Sequence, residues 1–145
     1  MELFGATSSP LSRVLAAVAF GGAVGATGRW AVGELIPTEP GVWPWATLVV
    51  NVVGSLAIGF AARGVDRDTL RWALLVTGVL GGFTTFSALA VELNDFVEAE
   101  RTAVAVTYGA VTLAAGVLAT MVAGNGVPGR NGASVSGATH DGSRP

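Results

Sequence analysis

The sequence predicts an all-α membrane protein with four transmembrane helices, the third of which is broken in the middle of its span. Of the 145 residues, 51% are hydrophobic and 12% are charged, against a charged content of roughly 25% in soluble domains. The mean hydropathy is +0.60. Four apolar stretches, at about 11–36, 45–62, 69–96 and 102–123, are long enough to cross a bilayer. These observations indicate a protein that is integral to a membrane.

The composition also excludes several classes of function. Cysteine is absent, so we expect no disulfide, no thiolate nucleophile and no cysteine-based metal site. The one histidine, His140, lies in a polar tail. All eight basic residues are arginines and the net charge is −2, which is not the strongly basic pattern of a nucleic-acid-binding protein. We therefore expect no enzyme active site and no nucleic-acid partner.

The first span, at about 11–36, carries small residues at helical spacing. Gly21 and Gly25 are four residues apart, which allows a neighbouring helix to approach closely. Arg29 follows near the far end, where an arginine can extend to the membrane interface. A cleavable signal peptide is an alternative interpretation of Arg13 and the apolar run after it, but that run continues beyond signal-peptide length.

The second span, at about 45–62, contains a polar stripe. Thr47, Asn51, Ser55 and Gly59 recur every four residues and therefore share one face of a helix. Asn51 is the most informative member, because a primary amide inside a membrane needs hydrogen-bond partners.

The third span, at about 69–96, contains the stretch Gly81–Ser87, with two adjacent glycines and two adjacent threonines. These residues do not favour an uninterrupted helix. A helix broken inside the membrane leaves backbone N–H and C=O groups unpaired, and hydrocarbon cannot satisfy them. Protein groups, an ion or a water-filled path must do so. The stretch is therefore a candidate functional site.

The fourth span, at about 102–123, repeats the pattern of the second. Tyr108, Thr112 and Gly116 are spaced by four residues. Residues 1–123 therefore form one four-helix transmembrane domain. Beyond it, the tail 124–145 is rich in Gly, Ser, Asn and Thr, and we expect it to be disordered.

The distribution of charge predicts an orientation. Four spans place both termini and the turn at 63–68 on the same side of the membrane. Most arginines lie on that side, while the opposite side is mainly acidic. Because cytoplasmic loops carry the excess of basic residues, both termini are expected in the cytoplasm of a multi-pass cell-membrane protein.

Three motifs resemble those of the Fluc/CrcB fluoride channel family. They are Gly21–Trp30 in the first span, Thr47–Ser55 in the second and Gly81–Ser87 in the third. The resemblance implies a dimer of two four-helix subunits inserted antiparallel, with two pores between them. It also implies passive export of cytoplasmic fluoride, which reduces fluoride toxicity.

The resemblance assigns roles to individual residues. It implies that the fluoride pore is lined by Asn51, Phe86, Ser87, Tyr108 and Thr112, and that a structural sodium ion binds the backbone carbonyls of Gly81 and Thr84. Neutral hydroxyl and amide donors suit an anion that must enter and also leave, and a phenyl ring offers a positive edge. Gly21, Gly25, Ser55 and Gly59 are expected to serve helix packing.

Two residues depart from the family pattern. Leu89 stands where a second pore phenylalanine is usual, and Gly116 stands where some members carry a hydroxyl. Together with the arginine bias, Leu89 favours a heterodimer with an oppositely oriented paralogue over a homodimer. A non-conducting partner subunit of such a heterodimer is one alternative function. Another is a small proton-coupled multidrug transporter, but that mechanism requires a carboxylate within the first span, where Glu34 lies only at the interface end.

Overall fold

The computed structural model describes residues 10–39 and 41–125, and all of its regular structure is helical. The elements are α1 (Pro10–Leu35), α2 (Trp45–Gly64), α3 (Leu70–Trp72), a π-helical segment (Ala73–Leu80), α4 (Gly81–Phe83), α5 (Ser87–Glu98) and α6 (Thr102–Gly124). His140 and the part of the predicted tail beyond residue 125 lie outside the described residues.

Four helices in the described ranges are long and apolar enough to cross a membrane. They are Pro10–Leu35, Trp45–Gly64, Leu70–Glu98 and Thr102–Gly124, the third comprising α3 to α5 with 29 residues. The prediction of a four-span membrane protein is confirmed at this level.

The first packing group is α1 against the π-helical segment and α4. Gly21 and Gly25 are buried on this face of α1. A Cβ atom added to Gly21 would lie 2.9 Å from the backbone nitrogen of Val79, and one added to Gly25 would lie 2.7 Å from that of Phe83. The two backbones therefore touch directly, with no side chain between them.

The second packing group is α6 against α2 and α5. On α2, Gly59 faces α6 so closely that an added Cβ atom would lie 2.6 Å from the Thr120 carbonyl oxygen. The Thr120 hydroxyl donates to the Ser55 carbonyl over 3.2 Å. The face of α2 that carries Ser55 and Gly59 thus packs against the C-terminal part of α6.

An aromatic cluster closes the other end of this group. Tyr108 is fully buried, and its ring meets Trp43 and Phe96 edge-on at centroid distances of 5.8 and 6.2 Å. Leu89 and Ala105 complete the buried cluster. This packing holds α5 against α6, and the short connection 99–101 joins the two helices.

The two groups meet where Gly54 on α2 faces α4. An added Cβ atom at Gly54 would lie 3.3 Å from the ring of Phe83, and the Thr84 side chain lies closer still. This junction places the residues that follow α4 against the polar stripe of α2.

The π-helical segment was not predicted from the sequence. Its eight residues, Ala73–Leu80, are strongly apolar and give no signal that separates a π-helix from an α-helix. At its end, the Gly81 N–H is shared between the carbonyls of Val76 and Gly78. Wide helical turns of this kind are frequent at functional sites.

Candidate functional site

The chain leaves helical geometry at Thr84, between α4 and α5, and residues 84–86 form an interruption of the third span. The backbone of Thr84 is extended, with φ −69° and ψ 154°. Its N–H and its hydroxyl both donate to the Leu80 carbonyl, each over 3.0 Å. The Leu80 carbonyl therefore accepts the last regular backbone hydrogen bond before the interruption.

Asn51 bridges from α2 to this interruption. Its Nδ2 donates to the Thr85 carbonyl over 2.9 Å, and its Oδ1 accepts from the Thr85 N–H over 2.8 Å. One side-chain amide therefore satisfies both backbone groups of one residue, as a neighbouring β-strand would. The second hydrogen of Nδ2 remains available to another acceptor.

Thr85 is itself 7% exposed and uses its hydroxyl at the start of α5. The hydroxyl oxygen accepts from the Ala88 N–H over 3.0 Å and lies 3.2 Å from the Ser87 hydroxyl. This is the geometry of a threonine that caps a helix N-terminus. Ser87, the first residue of α5, therefore lies beside the interruption in contact with Thr85.

A cavity of about 460 Å³ lies beside the interruption. It brings together Asn51 and Ser55 of α2, Phe86 and Leu89 of the third span, and Thr112 and Gly116 of α6. No arginine, aspartate or glutamate is among the described residues that line it. The cavity is apolar, with a few neutral polar groups.

Thr112 offers a hydroxyl in the wall of this cavity. The residue is 3% exposed, and its hydroxyl forms no hydrogen bond of ordinary geometry within the described part of the chain, although it lies near the Tyr108 hydroxyl. In contrast, Thr107 and Thr120 on the same helix donate to carbonyls of the preceding turn. A buried hydroxyl without a partner leaves a donor available to a ligand.

Tyr108 lies one turn before Thr112 but does not line the cavity. Its hydroxyl is 2.8 Å from Glu92 Oε2 and 3.2 Å from the Pro44 carbonyl oxygen. The Thr47 hydroxyl donates to Glu92 Oε1 over 2.5 Å. Tyr108 and Thr47 thus hold the two oxygens of one carboxyl group.

Glu92 is a residue that the sequence analysis did not identify as part of a site. It lies in the middle of α5 and lines a second cavity of about 470 Å³ together with Glu39 and Asp95. An acidic residue within a membrane-spanning helix marks a functional or specifically paired position. That signal was present in the sequence, six residues before the end of the helix.

Phe86 and Leu89 differ sharply in exposure although both border the first cavity. Phe86 is 72% exposed on this chain, whereas Leu89 is 2% exposed and belongs to the aromatic cluster with Phe96 and Tyr108. Leu89 therefore fills the interior of the subunit, and Phe86 projects from its surface.

Within the described part of the chain, the backbone carbonyls of Gly81, Gly82, Phe83 and Thr84 stand apart from the helical ladder. Among the described residues, the carbonyl oxygens of Gly81 and Thr84 accept no hydrogen bond across the interruption. Gly81 is also exposed on this chain. The carbonyl oxygens of Gly81 and Thr84 are therefore available as ligands within the described part of the chain.

Comparison with known proteins identifies close relatives. A family described as CrcB-like protein, Camphor Resistance (CrcB), matches residues 16–125. The chain is 42% identical over 115 residues to a protein of Mycobacterium bovis named fluoride-specific ion channel FluC 1, which covers 77% of this chain and 87% of the relative. It is 46% identical over 105 residues to a protein of Streptomyces avermitilis named fluoride-specific ion channel FluC 2, covering 69% of this chain and 66% of the relative.

Proposed function

This chain belongs to the CrcB family, and we propose that it is a subunit of a fluoride-selective ion channel that exports cytoplasmic fluoride passively. The main support for this proposal is the first cavity, where Asn51 and Thr112 present neutral hydrogen-bond donors in an apolar wall. A passive channel must bind an anion well enough to admit it and weakly enough to release it. Neutral donors meet both conditions better than a fixed positive charge would.

The direction of transport follows from acid–base chemistry and the membrane potential. Hydrogen fluoride is a weak acid that crosses lipid and dissociates in a near-neutral cytosol. A potential that is negative inside then drives the trapped anion outward. Each 100 mV makes the exit of one charge more favourable by about 2.3 kcal/mol. No coupling to another ion is required for export.

The exposed Phe86 supports a pore wall completed by a second subunit. A phenyl ring that is 72% exposed beside an open cavity can present its positive edge to an anion once another chain covers it. We propose an antiparallel dimer with pores at the interface, and two copies of this chain as its composition. The alternative of a non-conducting partner is not favoured, since the relatives are themselves named as ion channels.

The arginine bias favours a paralogue of opposite orientation as the partner. Cysteine labelling from each side of the membrane distinguishes such a paralogue from a second copy of this chain. The chain has no cysteine, so a single cysteine can be introduced at Arg67 in the turn between α2 and α3. Modification from both sides of the membrane is expected for a dimer of two identical chains. Modification from the cytoplasm alone would indicate an oppositely oriented paralogue.

The interruption also suits a structural sodium ion. The described residues contain no cluster of three His, Asp or Glu side chains that could hold a metal, so carbonyl oxygens are the available ligands. Within residues 10–39 and 41–125, no hydrogen bond is donated to those of Gly81 and Thr84, and Gly81 is exposed where a second subunit would add its own. A hard cation prefers oxygen ligands of this kind, and when bound it would neutralise their dipoles.

Fluoride efflux from liposomes tests the function. The purified chain, reconstituted alone, is expected to release trapped fluoride while retaining chloride. Asn51→Asp places a negative charge beside the Thr85 carbonyl and in the cavity wall, and is expected to reduce efflux strongly. Thr107→Val, on an exposed face of α6, is the matched control and should conduct like the wild type. Absence of fluoride release from the wild-type chain would refute the proposal.

A further inference from the structure

We propose that Asn51 and Thr85 are positioning residues for the cation, because together they withdraw two N–H donors that would otherwise occupy the carbonyls of Gly81 and Thr84. The inference rests on the proposed function for the cation-binding role of those carbonyls. It adds a role for Thr85 and a second role for Asn51.

Asn51 captures the helical donor of the Gly81 carbonyl. In an α-helix the carbonyl of one residue accepts from the N–H four residues later, which for Gly81 is the N–H of Thr85. That N–H donates instead to Asn51 Oδ1 over 2.8 Å. One residue earlier, the Leu80 carbonyl keeps its regular donor, the Thr84 N–H, over 3.0 Å. The ladder therefore stops at Gly81.

Thr85 captures the helical donor of the Thr84 carbonyl. The regular donor would be the Ala88 N–H, which instead donates to the Thr85 hydroxyl oxygen over 3.0 Å. The ladder resumes at Phe86, whose carbonyl accepts from the Ala90 N–H over 2.9 Å. A second side chain thus withdraws a second helical donor.

The carbonyl of Thr85 itself is not left free. It accepts from Asn51 Nδ2 over 2.9 Å, so the same amide that withdraws a donor from Gly81 also occupies the carbonyl that directly follows Thr84. Two side chains thus hold the N–H and carbonyl of Thr85 and the N–H of Ala88 away from the helical ladder. They thereby keep the donors of Gly81 and Thr84 occupied elsewhere.

This arrangement couples the amide in the cavity wall to the cation. Free carbonyls in an apolar environment are unfavourable unless they find a partner, so the cation stabilises the conformation that Asn51 and Thr85 hold. By thermodynamic linkage, a change that lowers the population of that conformation also weakens cation binding. Without the Thr85 hydroxyl, the Ala88 N–H is released to return to the Thr84 carbonyl.

Sodium-dependent thermal stability of the purified chain in detergent tests the inference. NaCl replaces N-methyl-D-glucamine chloride at constant ionic strength, and the unfolding midpoint is followed. Asn51→Leu and Thr85→Val are expected to need at least about tenfold more sodium than the wild type for half of the maximal stabilisation. Thr85→Ser keeps the hydroxyl and should respond like the wild type, as should the distant Thr107→Val.

The outcomes separate this inference from the proposed function. A wild-type sodium response in both Thr85→Val and Asn51→Leu would overturn the positioning role. If Asn51→Leu does not fold, the comparison of Thr85→Val with Thr85→Ser decides alone. A wild-type chain without a sodium response would overturn the cation role as well, whereas missing fluoride efflux with an intact sodium response would overturn only the channel proposal.

Discussion

The hydroxyl oxygen of Tyr108 on α6 lies 2.8 Å from Oε2 of Glu92 on α5, within a buried aromatic cluster. Tyr108→Phe keeps the ring packing but removes this donor. The free energy of unfolding should fall by about 1–3 kcal/mol, as expected when a buried polar group loses a partner. Denaturation in mixed micelles measures it. An unchanged stability would show that Glu92 does not depend on Tyr108.

Thr47→Val tests the second hydroxyl on the same carboxyl group. Thr47 and Tyr108 bind different oxygens of Glu92, so their removal should be coupled. We expect the double variant to deviate from the sum of the single variants by about 0.5–3 kcal/mol. Combining Thr47→Val with the distant Thr107→Val should instead be additive.

Adjacent glycines on α1 provide a matched pair. An alanine at Gly21 would press its Cβ atom against the backbone of Leu74 and Val79, whereas one at Gly22 meets nothing within 4 Å. Gly21→Ala should destabilise the protein by about 1–3 kcal/mol or more. Gly22→Ala should be neutral or stabilising by up to about 1 kcal/mol, because alanine favours the helix. Equal thermal midpoints for the two variants would contradict the backbone contact.

Leu89 and Leu113 both border the first cavity but differ in burial. Leu89 is 2% exposed and Leu113 is 55% exposed. Leu89→Ala should cost about 2–5 kcal/mol of stability through the cavity it leaves. Leu113→Ala should change stability by no more than about 0.5 kcal/mol in the same micelles. The reverse order would place Leu89 outside the core.

Phe86 and Phe20 are both exposed, at 72% and 69%. Truncating either to alanine should leave the fold of the single chain intact. Phe86→Ala should nevertheless reduce fluoride efflux at least about tenfold, equivalent to losing about 1.4 kcal/mol at the barrier. Phe20→Ala, on a different face, should not change efflux. Equal efflux from both variants would remove Phe86 from the pore.

The four spans could be predicted because each is a long apolar stretch bounded by turn residues or charges. The predicted second span ended at 62 and the third at 96, whereas the helices continue to Gly64 and Glu98. Arg63 lies within α2, where its guanidinium donates to the Val122 carbonyl and lies over the Phe60 ring. Local composition does not reveal such a contact with another helix.

The contacts within the site were less accessible to sequence reasoning. The polar stripe on α2 identified Asn51 as a residue in need of partners, but Thr85 lies 34 positions away along the chain. The partnership depends on the packing of Gly54 against Phe83 and Thr84, which spacing within one helix does not specify. The same holds for Glu92, whose two hydroxyl partners come from α2 and α6.

The packing of α1 against the π-helical segment has a consequence for synthesis. The two faces are separated in the chain by the whole of α2, so α1 is synthesised before its partner. Until the third span is inserted, the glycine face of α1 has no packing partner from that span, and α1 must remain inserted through its own hydrophobicity. Membrane insertion and helix assembly are therefore separate events for this chain. Assembly of the first packing group begins only when the third span arrives.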